Sequence, residues 1–172
     1  MRVAVTGTPG TGKTTATSLL AERLDDHEVV HCNELVEHEG LYTHVDEERE
    51  SLVADLEALE DSLAGYETAV FDSHLAHHLP ADRVVVLRCH PDALTERLDE
   101  RGTRNRSIEE NAVSEALDVI LAEAVEAHGI DSVYEIDTTD RSPSEVADEL
   151  LAVVRGDREP RAGTVDFVGY LA

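Results

Sequence analysis

A glycine-rich stretch near the start of the chain restricts the possible fold more than any other feature. Residues Gly7–Thr14 read Gly-Thr-Pro-Gly-Thr-Gly-Lys-Thr and fit the pattern G-x-x-x-x-G-K-T. The β-branched run Arg2–Thr6 comes before it, and apolar residues at helical spacing come after it. This context predicts a buried strand, a tight turn and a helix, whereas the alternative, a chance glycine turn, explains neither flank.

A turn of this kind is suited to binding phosphate groups. Its glycines let successive backbone N–H groups point at phosphate oxygens, and the start of the following helix adds partial positive charge. We expect Lys13, in an exposed loop, to reach the β- and γ-phosphates of a nucleotide, and the Thr14 hydroxyl to coordinate Mg²⁺. The sequence therefore predicts a nucleoside triphosphate, together with Mg²⁺, as the ligand.

Strands and helices alternate along the rest of the chain. Short runs rich in β-branched residues and leucine predict buried strands at residues 2–6, 28–31, 68–71, 83–88 and 132–136. Since helical segments separate them, the strands are expected to pair in parallel. The predicted fold class is α/β with three layers, a five-stranded parallel sheet with helices on both faces.

Helical patterns occupy most of the intervening segments. They are expected at residues 14–24, 33–39, 46–63, 91–102, 107–128 and 142–155. The helix over 46–63 is assigned from its stripe of leucines, and residues 40–45 before it are expected to form a loop. Residues 156–163, rich in glycine, proline and charge, predict a linker that joins a 1–155 domain to a tail over 164–172.

The charge balance excludes several classes of partner. The chain has 38 acidic and 14 basic residues, a formal charge of −24. Strong direct binding to nucleic acid or to an anionic membrane is not expected, because lysine and arginine supply most of that affinity. No apolar run approaches the ~20 residues that span a bilayer. The two separated cysteines indicate reduced thiols, so we expect a cytoplasmic protein. We also expect the protein to be a monomer.

The basic residues have an unusual composition. Lys13 is the only lysine, and the other 13 are arginines. Extreme acidity with lysine nearly eliminated favours adaptation to high intracellular salt; codon bias towards arginine is the alternative, and it does not explain the net charge. A GTPase is disfavoured, because guanine selection by an N/T-K-x-D motif requires a lysine other than Lys13.

Asp72 follows the predicted strand 68–71, at the sheet edge where open α/β sheets bind ligands. A carboxylate there can hold Mg²⁺ directly or through water, so we interpret Asp72 as a metal ligand rather than an ordinary loop aspartate. His74 is expected near the same phosphates, to orient water or contact nucleotide, with an ordinary loop histidine as the alternative. Together with His77 and His78, His74 suggests a zinc cluster, but no cysteine or further ligand is spaced to complete one, so zinc binding is not expected.

Arginines are concentrated in one region of this acidic chain, at positions 83, 88, 97, 101, 104 and 106. The planar guanidinium suits the equatorial oxygens that gain charge during phosphoryl transfer. We expect Arg101 above all to contact nucleotide. For each of the other arginines, two roles are possible: contact with nucleotide, or an ion pair with a nearby acidic residue. Residues 102–106, a short polar segment between two helices, predict a mobile lid that excludes water.

Two weaker signals concern the second substrate and the nucleotide base. The segment 31–52 departs from the strand rhythm, so a second substrate is expected there, with Asp46, Glu47 and Arg49 as candidate contacts. A solvated, charged helix face is the alternative for each of them. After the last strand, the loop Asp137–Thr139 is expected to lie beside an adenine base.

Several motifs taken together resemble one family. They are the run Gly7–Thr15 (GTPGTGKTT), the D-x-H triplet Asp72–His74, the run Leu87–Gly102 (LRCHPDALTERLDERG), and Asn111 with Glu115. Spread over most of residues 1–155, the combination resembles the adenylate kinase 6 family, the branch also described as Fap7, or CINAP in animals. The glycine loop is generic, whereas its combination with D-x-H and R-L-x-x-R-G is specific.

The resemblance implies the fold of a nucleoside monophosphate kinase, a P-loop NTPase with a monophosphate-binding region at about 30–53 and a lid at about 100–110. It implies ATP contacts at Gly10, Gly12, Lys13, Thr14, Thr15 and Arg101. With the residues above, the candidate catalytic set is Lys13, Asp72, His74 and Arg101, and the candidate metal ligands are Thr14 and Asp72. The resemblance further implies adenylate kinase and ATPase activity, and a role in late maturation of the small-subunit precursor through ribosomal protein uS11.

Three functions are open at this point. The leading hypothesis is Mg²⁺-dependent transfer of the ATP γ-phosphate to AMP or another nucleoside monophosphate. The second is a ribosome-assembly ATPase whose ATP cycle acts as a conformational switch on uS11, with incidental kinase activity. The negative charge of the chain is complementary to that of a basic ribosomal protein. The third is a small-metabolite kinase of similar fold, which would turn over a sugar or a shikimate-like acceptor and not AMP.

Overall fold

A computed structural model, which describes residues 1–172, places five parallel strands in a central sheet. Numbered along the chain, the strands are β1 (Arg2–Thr6), β2 (Glu28–His31), β3 (Tyr42–Asp46), β4 (Ser51–Ala54), β5 (Ala69–Asp72), β6 (Arg83–Arg88) and β7 (Val133–Asp137). The sheet has the order β2-β5-β1-β6-β7, and β3 pairs only with β4. The predicted α/β class and its five-stranded parallel sheet are confirmed.

Helices cover both faces of this sheet. They are α1 (Lys13–Ala21), α2 (Cys32–Glu39), α3 (Leu56–Leu63), α4 (Pro91–Glu100), α5 (Asn105–Ala116), α6 (Val119–His128) and α7 (Pro143–Arg155). Short 3₁₀ turns occur at Ala76–His78, Ile130–Ser132 and Val168–Leu171. None of the helices combines the length and the apolar content that crossing a membrane requires.

A hydrophobic core lies on each face of the sheet. Successive side chains of a strand point to opposite faces, so Val3 and Val5 join one cluster while Ala4 joins the other. The first cluster contains apolar residues of α1 and α7, and the second contains those of α2, α3 and α6. Because β1 is the central strand, the glycine loop that follows it emerges at the middle of the carboxyl edge, where open α/β sheets bind ligands.

The helix predicted over 46–63 is wrong in its first half. The loop expected at 40–45 is also wrong, because β3 and β4 form an antiparallel hairpin there. Helix α3 begins only after Asp55, whose side chain accepts a hydrogen bond from the Ala58 N–H at 3.1 Å. An aspartate in this position caps a helix and marks its start, so the leucine stripe alone placed the boundary too early.

The single helix predicted over 107–128 is also wrong, because the chain forms α5 and α6 in its place. Asp118, between them, has a φ of 55°, a left-handed conformation that interrupts a right-handed helix. Its carboxylate contacts the guanidinium of Arg88. The apolar periodicity does not reveal this break in the helix, which coincides with the contact between Asp118 and the buried, distant Arg88.

The segment 156–163, predicted as a linker, packs against the edge strand β7. The Glu135 N–H donates to the Arg161 carbonyl oxygen at 2.7 Å, and the Arg161 N–H donates to the Val133 carbonyl oxygen at 3.0 Å. Farther along, Phe167 is buried, with its ring centre 5.4 Å from the guanidinium carbon of Arg88. The end of the chain thus covers the open edge of β7.

Candidate nucleotide-binding site

The loop between β1 and α1 has the backbone of a phosphate cradle. Gly7 and Gly12 have φ values of 144° and 90°, a region that residues with a side chain rarely adopt. A Cβ atom on Gly7 would lie 2.5 Å from the Leu87 carbonyl oxygen, so no side chain fits there. The loop leads directly into α1, whose first N–H groups carry the partial positive charge that attracts phosphate.

The prediction of an exposed lysine is wrong, because Lys13 is buried within this loop. Its Nζ donates to the carbonyl oxygens of Gly7 at 2.7 Å and Thr8 at 3.1 Å, and only 8% of the residue is exposed. Burial lowers the pKa of Lys13 to about 8, an effect that the carboxylates of Asp72 and Glu115 oppose. The only lysine of the chain is therefore held inside the glycine loop.

Asp72 ends β5 and is fixed by residues from two other elements. Its Oδ2 lies 2.6 Å from Nδ1 of His31, and the Thr17 hydroxyl donates to the same oxygen. Its Oδ1 accepts a hydrogen bond from the Thr14 hydroxyl at 3.4 Å. The structure thus brings together Thr14 and Asp72, the two residues that the sequence singles out as metal ligands.

Sequence reasoning missed Thr17 and His31. Helical spacing could have found Thr17, because it lies three residues after Thr14 and shares one face of α1 with it. His31 is brought to Asp72 by the parallel register of β2 and β5, in which the two residues are paired. Since strand order is a property of the whole sheet, no local signal points to His31.

A cavity of about 140 Å³ opens in front of the glycine loop. Its walls contain every expected ATP contact, namely Gly10, Gly12, Lys13, Thr14, Thr15 and Arg101, together with Pro9, Asn33 and His74. Asp72 stands behind Thr14 and does not line this cavity. A hydroxyl backed by a carboxylate suits a hard cation such as Mg²⁺, which prefers oxygen ligands and retains several waters. The residues present therefore fit a magnesium–triphosphate group.

His74 and Arg101 stand at the boundary between this cavity and a larger one. Burial lowers the pKa of His74 to about 4, helped by the charge of Lys13, so the ring is uncharged near neutral pH. Arg101 directly follows α4 and is exposed, whereas Arg104 is ion-paired with Glu50 at 2.5 Å. Arg101 makes no such pair, which leaves its guanidinium available to an anion in either cavity.

The larger cavity, of about 550 Å³, lies between the β3–β4 hairpin and the start of α5. In the hairpin turn, Arg49 pairs with Asp46 at 3.0 Å and with Glu110 of α5 at 3.1 Å. Glu47 is exposed and, like Asp46, does not line the cavity. Its walls include Pro9, Arg49, Ser51, His74, Arg101, Asn111 and Ser114. Asp46, Glu47 and Arg49 are the three residues expected to contact a second substrate, and of these only Arg49 lines the cavity.

A third cavity, of about 230 Å³, adjoins the glycine loop on the side of α7. Thr138 lines it together with Gly10, Thr15, Arg97, Arg101 and Arg141. The Thr138 hydroxyl lies 3.1 Å from the Thr11 carbonyl oxygen, and Arg97 donates to the Thr138 carbonyl oxygen at 3.1 Å. The loop Asp137–Thr139, expected beside an adenine base, therefore contributes to a cavity next to the phosphate cradle.

For Arg88, the structure favours pairing with acids over nucleotide contact. Its Nε lies 2.8 Å from Oε1 of Glu115 and its Nη1 lies 2.6 Å from Oε1 of Glu135, and the residue is 1% exposed. Neither carboxylate is a near neighbour in sequence. Glu115 also accepts a hydrogen bond from the Thr8 hydroxyl at 2.6 Å, so this buried group supports the glycine loop from behind.

Comparisons with known proteins agree with this geometry. A profile of the AAA domain family matches residues 3–118. A protein of Natronomonas pharaonis named "Putative adenylate kinase" is 60% identical over 171 residues, which cover 99% of this chain and 100% of that protein. The chain belongs to the AAA domain family and to the same family as this relative. A protein of Methanocaldococcus jannaschii with the same name is 40% identical and covers 97% of this chain and 93% of its own length.

The fold itself is shared with solved kinase structures. Shikimate kinase from Acinetobacter baumannii, in complex with shikimate, superposes with a TM-score of 0.64 over 91% of this chain and 94% of its own. Its sequence is only 17% identical, so the likeness concerns the fold alone. The chain therefore has an α/β P-loop kinase fold, and its assignment to the adenylate kinase 6 branch stays a prediction.

Proposed function

We propose that the protein is a nucleoside monophosphate kinase that transfers the γ-phosphate of ATP to AMP or another nucleoside monophosphate. One observation carries this proposal: His74 and Arg101 line both the 140 Å³ cavity at the glycine loop and the adjacent 550 Å³ cavity. A donor phosphate in the first cavity and an acceptor phosphate in the second would meet at these two side chains. The name carried by the relatives supports the same reaction.

In the proposed reaction, an oxygen of the acceptor phosphate bonds to the γ-phosphorus while the bond to the β,γ-bridging oxygen breaks. ADP leaves, and the acceptor becomes a nucleoside diphosphate. Lys13 and the loop N–H groups offset charge on the β- and γ-phosphates, and Arg101 donates to the equatorial oxygens. His74, uncharged, contacts the transferred group from the acceptor side. Catalysis of this kind depends on positioning and electrostatics more than on covalent chemistry.

When bound, Mg²⁺ would offset the negative charge of the triphosphate. We propose Thr14 as its direct protein ligand, because the Thr14 hydroxyl lines the 140 Å³ cavity. Asp72 would hold the ion through water, and its Oδ1 orients the Thr14 hydroxyl by accepting a hydrogen bond from it at 3.4 Å. Thr17 and His31 are positioning residues, since both bind Oδ2 and thereby leave Oδ1 facing Thr14.

Asp72→Asn is expected to raise the Mg²⁺ concentration that gives the half-maximal rate by about 10–100-fold. The amide keeps the size of the side chain and removes the charge that attracts the cation. A Mg²⁺ titration of the initial rate at fixed ATP measures the change. Asp26→Asn, an exposed site far from the loop, is the matched control. An unchanged titration for Asp72→Asn would count against its metal role.

A screen of acceptors tests the proposed function directly. AMP, CMP, GMP and UMP are each supplied with ATP in molar KCl, because the acidic chain is expected to be adapted to salt, and ADP formation is followed by a coupled assay. At least one monophosphate is expected to stimulate ADP formation. Shikimate and gluconate are tested in parallel. Turnover with either of these and none with any monophosphate would replace the proposal by a small-metabolite kinase.

We also propose ATP hydrolysis and a role in late maturation of the small-subunit precursor through uS11, on the strength of the resemblance to the adenylate kinase 6 family. The acidity of the chain favours a basic partner. The end of α5 lies against the 3₁₀ turn Val168–Leu171. Three exposed apolar side chains there, those of Leu117, Val168 and Leu171, offer a contact surface to such a partner. Purified uS11 is expected to stimulate phosphate release without AMP; an unchanged rate would contradict this role.

A further inference from the structure

A cluster of imidazole and carboxylate groups lies behind the loop that carries His74. The 3₁₀ turn Ala76–His78 supplies His77 and His78, and α6, which packs against this turn, supplies Glu123. Oε2 of Glu123 lies 2.9 Å from Nε2 of His77 and 4.0 Å from Nε2 of His78. Glu123 supplies a third donor group that residue spacing does not reveal, because it comes from a separate helix.

The separations suit a four-coordinate ion. Zn²⁺ with bonds of about 2.0–2.1 Å in a tetrahedral arrangement separates its ligand atoms by about 3.3 Å. The distances of 2.9 and 4.0 Å bracket this value. The side chains of His78 and Glu123 are 38% and 46% exposed, so both can adjust and water can reach a fourth position. Two imidazoles and one carboxylate favour a zinc-class ion, unlike the oxygen donors of Thr14 and Asp72.

His77 is already held in place by a partner behind it. The residue is 1% exposed, and its Nδ1 lies 2.8 Å from the Thr6 hydroxyl oxygen. That hydroxyl can donate onward to the His74 carbonyl oxygen at 3.3 Å. With its proton on Nδ1, His77 donates to Thr6 and presents the Nε2 lone pair to the cluster, as metal-bound histidines do. With the proton on Nε2 instead, the contact with Glu123 is a plain hydrogen bond.

We propose that His77, His78 and Glu123 bind one zinc-class dication, with water completing the coordination. The ion would tie the 3₁₀ turn to α6. Since the hydroxyl partner of His77 also contacts the His74 carbonyl oxygen, the ion would stabilise the backbone that presents His74 to the two cavities. The proposal does not depend on which acceptor the kinase uses.

Calorimetric titration of the full chain with ZnCl₂ tests this site. The protein is first treated with EDTA and dialysed, and excess MgCl₂ is kept present to occupy the oxygen-donor site. We expect one Zn²⁺ bound per chain and a higher Tm in its presence. His78→Ala and Glu123→Gln, both outside the proposed catalytic machinery, are each expected to weaken the affinity by about 100-fold or more, because even an outer partner of a metal ligand contributes about 10–100-fold.

His38→Ala is the matched control, because His38 is an exposed histidine on α2. This variant is expected to bind Zn²⁺ like the unaltered protein. Co²⁺ gives a second readout, since its visible absorption reports tetrahedral nitrogen and oxygen ligation and should disappear in the two site variants. Absence of stoichiometric Zn²⁺ binding would overturn the proposal. Binding that persists unchanged in both His78→Ala and Glu123→Gln would overturn it as well.

Discussion

Replacing Lys13 by alanine is expected to lower kcat for phosphoryl transfer by about 10²–10³-fold, with the protein still folded. Lys13 is the only lysine of the chain, so no second lysine side chain can take its place. Its Nζ is held inside the glycine loop by two carbonyl oxygens, at 2.7 and 3.1 Å. The substitution removes the point charge that lysines in such loops place against the β- and γ-phosphates. A coupled assay with ATP and AMP measures the change.

The fold is expected to survive this substitution. The Thr8 carbonyl oxygen keeps a hydrogen bond from the Thr11 N–H at 3.2 Å, and the loop adjoins a cavity from which water can reach the freed oxygens. Circular dichroism and a thermal scan check this point. Arg155→Ala, at an exposed arginine that ends α7, serves as the control and should retain a kcat near that of the unaltered protein. A normal kcat for Lys13→Ala would refute the assignment of the donor site.

The glycine loop and the strands around it are predictable because their signals are local. The strands 28–31 and 83–88 have the predicted bounds, and each is built around adjacent valines, which favour strands. Asp72 is found for the same reason, as the polar residue that ends a buried strand. Each of these features depends on residues adjacent in sequence.

The features that sequence reasoning missed depend on contacts between distant residues. Arg88 is indistinguishable by sequence from its neighbouring arginines, yet its partners Glu115 and Glu135 lie 27 and 47 residues further along. The break at Asp118 belongs to the same buried group. No carboxylate pairs with Arg101, so its guanidinium is available to an anion, and its contact with nucleotide stays a prediction. Which arginines stay free for an anion is therefore decided by tertiary structure.

Arg88→Met is expected to lower the free energy of unfolding by about 3–5 kcal/mol. The guanidinium lies between the carboxylates of Glu115 at 2.8 Å and Glu135 at 2.6 Å, and Asp118 contacts it from a third side. The side chains of Glu115 and Glu135 are 3% and 0% exposed. Methionine replaces most of the lost volume but leaves these carboxylates buried without a cation, and this desolvated charge is the costly part.

Arg106→Met is the matched control, because Arg106 also pairs with two carboxylates but is 71% exposed, so its loss should cost at most about 1 kcal/mol. Urea unfolding of both variants at one KCl concentration gives the comparison. The triple variant Arg88→Met/Glu115→Gln/Glu135→Gln should recover most of the loss, since it removes the uncompensated charges as well.

Because Glu115 also accepts from the Thr8 hydroxyl at 2.6 Å, Arg88→Met is further expected to weaken ATP binding. Equal, small losses of stability in Arg88→Met and Arg106→Met would show that the buried ion pairs do not stabilise the fold, and unchanged ATP binding by Arg88→Met would show that they do not support the glycine loop.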